Sequence, residues 1–218
     1  MGWAEVYLVL TPDVFKGVLR KLTIGGGVVV EPKYDGVLVV VDGKLYSEAG
    51  RPLSERLLDG LRESGYLEQV VEASHERVVI LELFGKRITP HGYHRFHPRD
   101  YDVVVLDTGR GWPPRLYPPE DSRMFAEEHG LPFVEYEYVN VDGDISDGWL
   151  AGLLRRYVGW EGCVVKFYSW HGHKLPGRYK RLGAVMVKVR WATFGRRYRA
   201  TNASREVERV LHSFSLSN

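Results

Sequence analysis

The stretch Glu31-Pro32-Lys33-Tyr34-Asp35-Gly36 sets one lysine between two apolar runs, Val28-Val29-Val30 before it and Val37-Leu38-Val39-Val40-Val41 after it. β-Branched runs bounded by turn residues read as buried strands, and Gly25-Gly26-Gly27 supplies the upstream break. A lysine on a turn between two such strands is partly shielded from water, which suits an amine nucleophile. Glu82, Glu161, Lys166 and Lys188 also fall at the ends or on the faces of apolar runs. An unperturbed lysine, with a pKa of ~10.4, is mostly protonated at neutral pH and does not attack phosphorus in that form. Partial burial and the cations Lys166 and Lys188 would lower that pKa. The same cations would neutralise an α-phosphate and a departing pyrophosphate, in a transfer that depends on positioning and charge stabilisation. A divalent ion, Mg²⁺ or Mn²⁺, suits such chemistry and takes one or two carboxylates. Glu161 is the expected metal-facing carboxylate, with Glu82 as a second. The expectation is that Lys33 is covalently modified by a nucleotide.

The elements that must hold these residues follow from pattern. Glu5–Leu10 reads as a strand. Thr11-Pro12-Asp13 opens a helix striped by Val14, Val18 and Leu22. Asp42-Gly43 is a hairpin turn between 37–41 and 44–47. A helix is expected over 54–64, and strands over 77–84 and 102–106, the second closed by Asp107. The four prolines within 109–119 predict an exposed connection. Then come a helix at 120–129, a strand at 133–139, a turn at Asp142-Gly143-Asp144, a helix at 145–157 and a strand at 163–167. The loop 169–181 is basic. Strand 184–191 alternates Val185, Val187 and Val189 with Met186, Lys188 and Arg190. A capping helix is expected over 204–214. The class is α+β, largely antiparallel, as one domain over 1–218 with a short basic strand or helix extension at 192–218.

In order, Lys33-Tyr34-Asp35-Gly36, Leu81-Glu82-Leu83-Phe84-Gly85, Val103-Val104-Val105-Leu106-Asp107, Glu161-Gly162-Cys163-Val164-Val165-Lys166 and Val187-Lys188-Val189-Arg190 resemble the motifs of the covalent nucleotidyltransferases. These are the ATP-dependent DNA ligases, RNA ligases and mRNA capping enzymes. The resemblance covers roughly Val28 to Trp191. It implies an antiparallel-sheet nucleotidyltransferase domain (an ATP-grasp-like ligase adenylation domain) with flanking helices, using ATP and Mg²⁺ or Mn²⁺. It implies catalytic roles for Lys33, Asp35, Glu161, Lys166 and Lys188. Asp35 would orient the lysine or the leaving group. Glu82 would hold the ribose hydroxyls and Glu31 the adenine edge. Tyr34, Gly36, Lys166, Lys188 and Arg190 complete the expected nucleotide contacts.

Leu38 stands where DNA ligases and capping enzymes carry arginine, so the pattern is more like phage-type RNA ligases. Lys188-Val189-Arg190 is similar to their last motif. Glu48 occupies about the place of a usual basic contact, and Arg51 is the expected substitute. No aromatic precedes Asp107 to stack on adenine. An aliphatic platform, or Phe84 or Tyr101, would serve instead. Only 27 residues follow Trp191, too few for the oligonucleotide-binding barrel of DNA ligases and capping enzymes. A partner protein or self-association could replace it. The resemblance thus implies an RNA ligase that passes AMP from Lys33 to a 5′-phosphate and seals that end to a 3′-hydroxyl. Alternatives are a DNA ligase adenylation domain and a catalytically impaired relative that only binds nucleotide or nucleic acid.

Composition agrees with a globular chain of 44% hydrophobic and 27% charged residues, without an apolar run of membrane-spanning length. The single Cys163 excludes an intrachain disulfide and suits a cytoplasmic protein. One Gln and three Asn beside many Arg and Glu fit a thermophilic source. Residues 166–210 hold twelve Lys and Arg against two acids, while the rest of the chain holds 18 against 26. Such segregation predicts a polyanion-binding face, with Lys174, Arg178, Lys180, Arg181, Arg196, Arg197 and Arg199 as phosphate contacts and Tyr179, Trp170 and Trp191 for stacking. His91, His94 and His97 lack a usual zinc spacing and are expected to meet phosphates or solvent. His171 and His173 carry the same expectation.

Overall fold

The computed structural model describes residues 9–141, 145–177 and 179–192. The first part of the 5–10 strand, the 142–144 turn, Arg178, the 204–214 helix and Arg196, Arg197 and Arg199 lie outside them. The element order is β1 (Val9–Leu10), α1 (Pro12–Leu19), β2 (Val28–Lys33), β3 (Val37–Val41), β4 (Leu45–Ser47), α2 (Glu55–Ser64), α3 (Leu67–Ala73), β5 (Val78–Phe84), β6 (Asp102–Arg110), β7 (Arg115–Leu116), α4 (Pro119–Glu128), β8 (Glu137–Val139), α5 (Asp147–Leu154), β9 (Gly162–Tyr168), α6 (Tyr179–Leu182) and β10 (Ala184–Arg190). A single 3₁₀ turn, Ser169–His171, follows β9.

Two five-stranded sheets form, ordered β1-β10-β9-β2-β8 and β4-β3-β5-β6-β7. Their strand pairs are antiparallel except β1 with β10. Successive strand side chains point to opposite faces, so each strand sends one parity outward and one inward. Val28, Val30, Cys163, Val165, Phe167, Val185, Val187 and Val189 pack outward with Phe15, Leu150, Leu153, Leu154 and Tyr179 of the covering helices. On the other sheet Val39, Val41, Val79, Leu81, Leu83, Val103 and Val105 pack outward with Leu61, Val70, Ala73 and Phe125. The opposite parities meet between the sheets, where Val29, Val164, Tyr168, Ala184 and Met186 face Val40, Val78, Ile80 and Leu116. The layers run helix, sheet, sheet, helix, which leaves each sheet covered on both faces.

Three local expectations change. Helix α3 follows α2 after a turn at Gly65, a helix that the pattern of the sequence does not predict. Strand β6 does not stop at Asp107. It runs to Arg110 past an irregularity at Ile80/Leu81, which lets the ladder restart. The proline-rich connection is not wholly exposed, because it returns as β7 on the edge of β6 and buries Leu116 completely.

Candidate active site

Register, not proximity in sequence, assembles the charged set. On the inner face of the first sheet Lys33 pairs across Gly162 with Arg190, and Glu31 pairs across Val164 with Lys188. One step deeper, Val29 pairs across Lys166 with Met186. Glu82 enters from β5 of the facing sheet by the same two-residue alternation. Gly162 permits the first row. A Cβ there would stand 2.0 Å from the Val189 carbonyl oxygen. Gly36 closes the Lys33 turn onto the facing sheet. A Cβ there would stand 2.3 Å from the Leu83 carbonyl oxygen, and its N–H donates to Glu82 Oε1 at 3.1 Å.

The first two rows border a cavity of about 390 Å³ between the sheets, within the size range of small-ligand sites. Lys33, Lys188 and Arg190 supply its cations, and Glu31, Glu48 and Glu82 its carboxylates. Val9, Leu38, Leu106, Val164 and Tyr34 supply apolar walls. Leu106, next to Asp107, is among the residues that form this apolar wall. Phe84 does not line the cavity. It is buried behind it against Tyr34, His94 and His97. Tyr101 packs in the outer core of the second sheet. Arg51 is exposed and is not among the lining residues, which include its neighbours Ser47, Glu48 and Ala49.

Lys33 Nζ lies 2.7 Å from Glu161 Oε2 and donates to the Tyr34 carbonyl at 3.2 Å. Arg190 Nε approaches Glu161 Oε1 at 2.9 Å, but neither atom has a hydrogen-bond partner of proper alignment, so this contact is chiefly coulombic. Burial, and then the charge of Arg190, holds the Lys188 ammonium below its usual pKa. Burial pushes Glu82 up to about 7, with Lys33 opposing.

Lys166 behaves differently from the sequence expectation. It is fully buried and does not reach the cavity. Its Nζ bonds to Glu31 at 2.8 Å, to Asp107 at 2.7 Å and to the Leu106 carbonyl at 3.1 Å. Burial disfavours this ammonium, yet Asp107 and Glu31 together hold its pKa above the usual value. One ammonium faces two carboxylates, and Tyr168 donates to Asp107 at 2.5 Å. Glu31 is the carboxylate driven upward, first by burial and then by Asp107, against the pull of Lys166. Its edge still borders the cavity.

Asp35 also departs from expectation, because its contacts run away from Lys33. Its carboxylate accepts from Thr89 Oγ1 at 2.6 Å and from the backbone N–H groups of His91 and Tyr93. His91 Nδ1 lies 2.8 Å from Asp35 Oδ1. The Asp35 N–H in turn donates to His94 Nε2 at 3.1 Å. Burial opposes ionisation of this carboxylate, but the bonds from Thr89, His91 and Tyr93 hold it below its usual pKa. The loop between β5 and β6 is thereby tied to the Lys33 turn.

Asp35, His91 and Glu161 place ligand atoms within 4.8 Å of one another. Glu161 Oε1, buried and without an aligned hydrogen-bond partner, lies 3.7 Å from His91 Nδ1. Two carboxylates and an imidazole, with one buried Glu161 oxygen left unsatisfied, fit a divalent cation. Glu82, the other expected metal carboxylate, is not part of that cluster and lines the cavity instead. The sequence reading left His91 to phosphate or solvent. The one available signal was its place in a His-rich loop directly after the Glu82 strand. His94 is buried against Tyr34 and Trp160 instead. His173, assigned the same default, is buried where its Nδ1 accepts from the Gly25 N–H and its Nε2 meets the Gly27 carbonyl.

The expected nucleic-acid contacts Lys174, Lys180 and Arg181 are exposed, but they follow the other end of β9 from Gly162. The strand rise of ~3.3 Å per residue puts that end roughly 20 Å from the Lys33 row. Among the described residues no helix is long and apolar enough to cross a membrane.

No family model matches the sequence, and no curated protein matches it. Solved structures do match. An archaeal ATP-dependent RNA ligase, form 1, is 18% identical with a TM-score of 0.54, over 84% of this chain and 46% of that one. A Naegleria gruberi RNA ligase variant with ATP and Mn is 13% identical with a TM-score of 0.56, over 83% and 53%. A candidate ATP-dependent DNA ligase from Aquifex aeolicus is 18% identical with a TM-score of 0.52, over 84% and 48%. The chain spans about half the length of these solved chains. At such identities the likeness is one of fold: the chain shares the α+β fold of these ligase structures.

Proposed function

We propose that this chain is an ATP-dependent, RNA-ligase-like adenylyltransferase with Lys33 as the AMP acceptor. The observation that carries the reading is the row Lys33–Gly162–Arg190 beside the row Glu31–Val164–Lys188, both bordering one cavity with Glu82 opposite. The apolar walls at Leu38, Leu106 and Val164 would hold the base, with Glu31 at its polar edge. Glu82 would meet the ribose hydroxyls. Lys188 and Arg190 would lie along the phosphates, where fixed cations stabilise developing charge.

Lys33 Nζ would attack the α-phosphorus, forming an N–P bond while the bond to the β-phosphate oxygen breaks and pyrophosphate leaves. The ammonium must shed a proton first, and Glu161 Oε2 at 2.7 Å is the acceptor in reach. A 5′-phosphate oxygen would then displace the lysine and carry off AMP. A 3′-hydroxyl would displace AMP in turn and close the phosphodiester. Asp35, His91 and Glu161 would hold a divalent cation, whose chemistry is to neutralise phosphate oxygens. The similar Naegleria protein, solved with ATP and Mn, supports a nucleotide and a divalent metal.

The test is end joining. The chain, ATP and Mn²⁺ or Mg²⁺ are incubated with strands carrying 5′-phosphate and 3′-hydroxyl ends, in RNA and in DNA of the same sequence. Joined RNA and released AMP support the reading. Joining confined to DNA would move it to a DNA ligase. ATP binding with neither pyrophosphate release nor joining would reduce the chain to a nucleotide binder.

A further inference from the structure

The register of both sheets fixes which loops share an end with Lys33. In the second sheet Val37 pairs with Leu83 and Asp102 with Phe84, so the loop that joins β5 to β6 emerges beside the 34–36 turn. That loop is bound to the turn directly, through Thr89, His91 and Tyr93 on the Asp35 carboxylate and His94 on the Asp35 N–H. Residues 85–99 carry four Lys or Arg, three His and no Asp or Glu. Arg87 and Arg99 are spent on Asp100 and Asp102. Arg95 has no carboxylate partner among the described residues and lies over the Phe96 ring at 4.7 Å. Phe96 is 77% exposed and Tyr93 is exposed. An exposed aromatic pair with a free arginine, tied to the turn of the expected nucleophile, is a stacking surface with a phosphate contact.

We propose that the loop 85–99 docks the single-stranded RNA end whose 5′-phosphate receives AMP, with Tyr93 and Phe96 stacking on bases and Arg95 on the backbone. The inference rests on the ligase reading above. It assigns the end-binding role to this loop and not to Lys174, Lys180 and Arg181, which lie toward the far end of the sheet. Stacking and backbone contact tolerate sequence, so the surface would accept ends of any sequence.

The experiment uses the full chain and a dye-labelled, 5′-phosphorylated single-stranded RNA. Binding is read by anisotropy, and AMP transfer is read per mole of lysyl-AMP. Arg95→Ala with Phe96→Ala is expected to weaken binding, and transfer per adduct, by about tenfold or more, the effect of losing one stacked base and a backbone contact. Phe96→Trp is expected to retain both. Lys180→Ala with Arg181→Ala is expected to stay within about twofold of the unaltered chain. The proposal is overturned if the first pair binds RNA as the unaltered chain does, or if only the Lys180/Arg181 pair loses binding. If the unaltered chain forms no adduct, the ligase reading fails while anisotropy still decides where RNA docks.

Discussion

Lys33 Nζ and Glu161 Oε2 stand 2.7 Å apart, with Gly162 as the residue that pairs across from Lys33. Lys33 and Arg190, which both line the cavity, flank Glu161 on its two sides. An arriving phosphate must therefore compete with a carboxylate for both cations. Glu161→Gln keeps the shape and removes the charge and the proton acceptor. It is expected to retain ATP binding measured without a divalent cation, while adduct formation slows on the order of 10²-fold or more. Equal losses in binding and rate would remove Glu161 from the chemical step.

Two lysines that look alike in sequence are expected to fail in opposite ways. Lys188→Ala should fold normally and slow adenylylation by about 10²- to 10³-fold, because a cation at the cavity is lost. Lys166→Met should cost about 3–5 kcal/mol of stability, because Glu31 and Asp107 are left buried without their ammonium. Urea unfolding of the two variants separates the effects. Full stability in Lys166→Met would contradict the buried triad.

The cation site offers a metal test independent of RNA. His91→Ala removes a ligand and is expected to raise the Mn²⁺ concentration for half-maximal adduct formation by at least about 10- to 100-fold, the cost of losing even a group that only orients a ligand. His97, outside the Asp35–His91–Glu161 cluster, is the control, and His97→Ala should leave the Mn²⁺ dependence unchanged.

Acid stability should depend on His173. Burial holds its imidazole below the usual pKa, the Gly27 carbonyl opposes this, and His171 adds to it. A lowered folded pKa means the neutral ring is the native form. Its contribution is complete above the unfolded value of ~6.5 and is lost as pH falls through the lower folded value. The melting temperature is expected to drop on going from pH 7 toward pH 5, and less steeply in His173→Asn.

Strand parity was legible from sequence. The alternation of Val185, Val187 and Val189 with Met186, Lys188 and Arg190 separates outer core from inner face as the structure does. Depth along a strand was not. Lys166 and Lys188 share a face, but only register puts one against Asp107 and the other at the cavity. The Asp35–His91 contact joins residues 56 positions apart through a loop without periodicity, so no local pattern announces it. Leu116 is buried by pairing with β6 and by α6 nearby, a tertiary effect that overrides a proline-rich segment's ordinary exposure.

The measurement that bears most directly on the account is the intact mass of the denatured protein after incubation with ATP and a divalent cation. The predicted result is a gain of one AMP that maps to Lys33, and no gain in Lys33→Ala. An unchanged mass, or a gain of AMP that persists in Lys33→Ala, would contradict Lys33 as the acceptor.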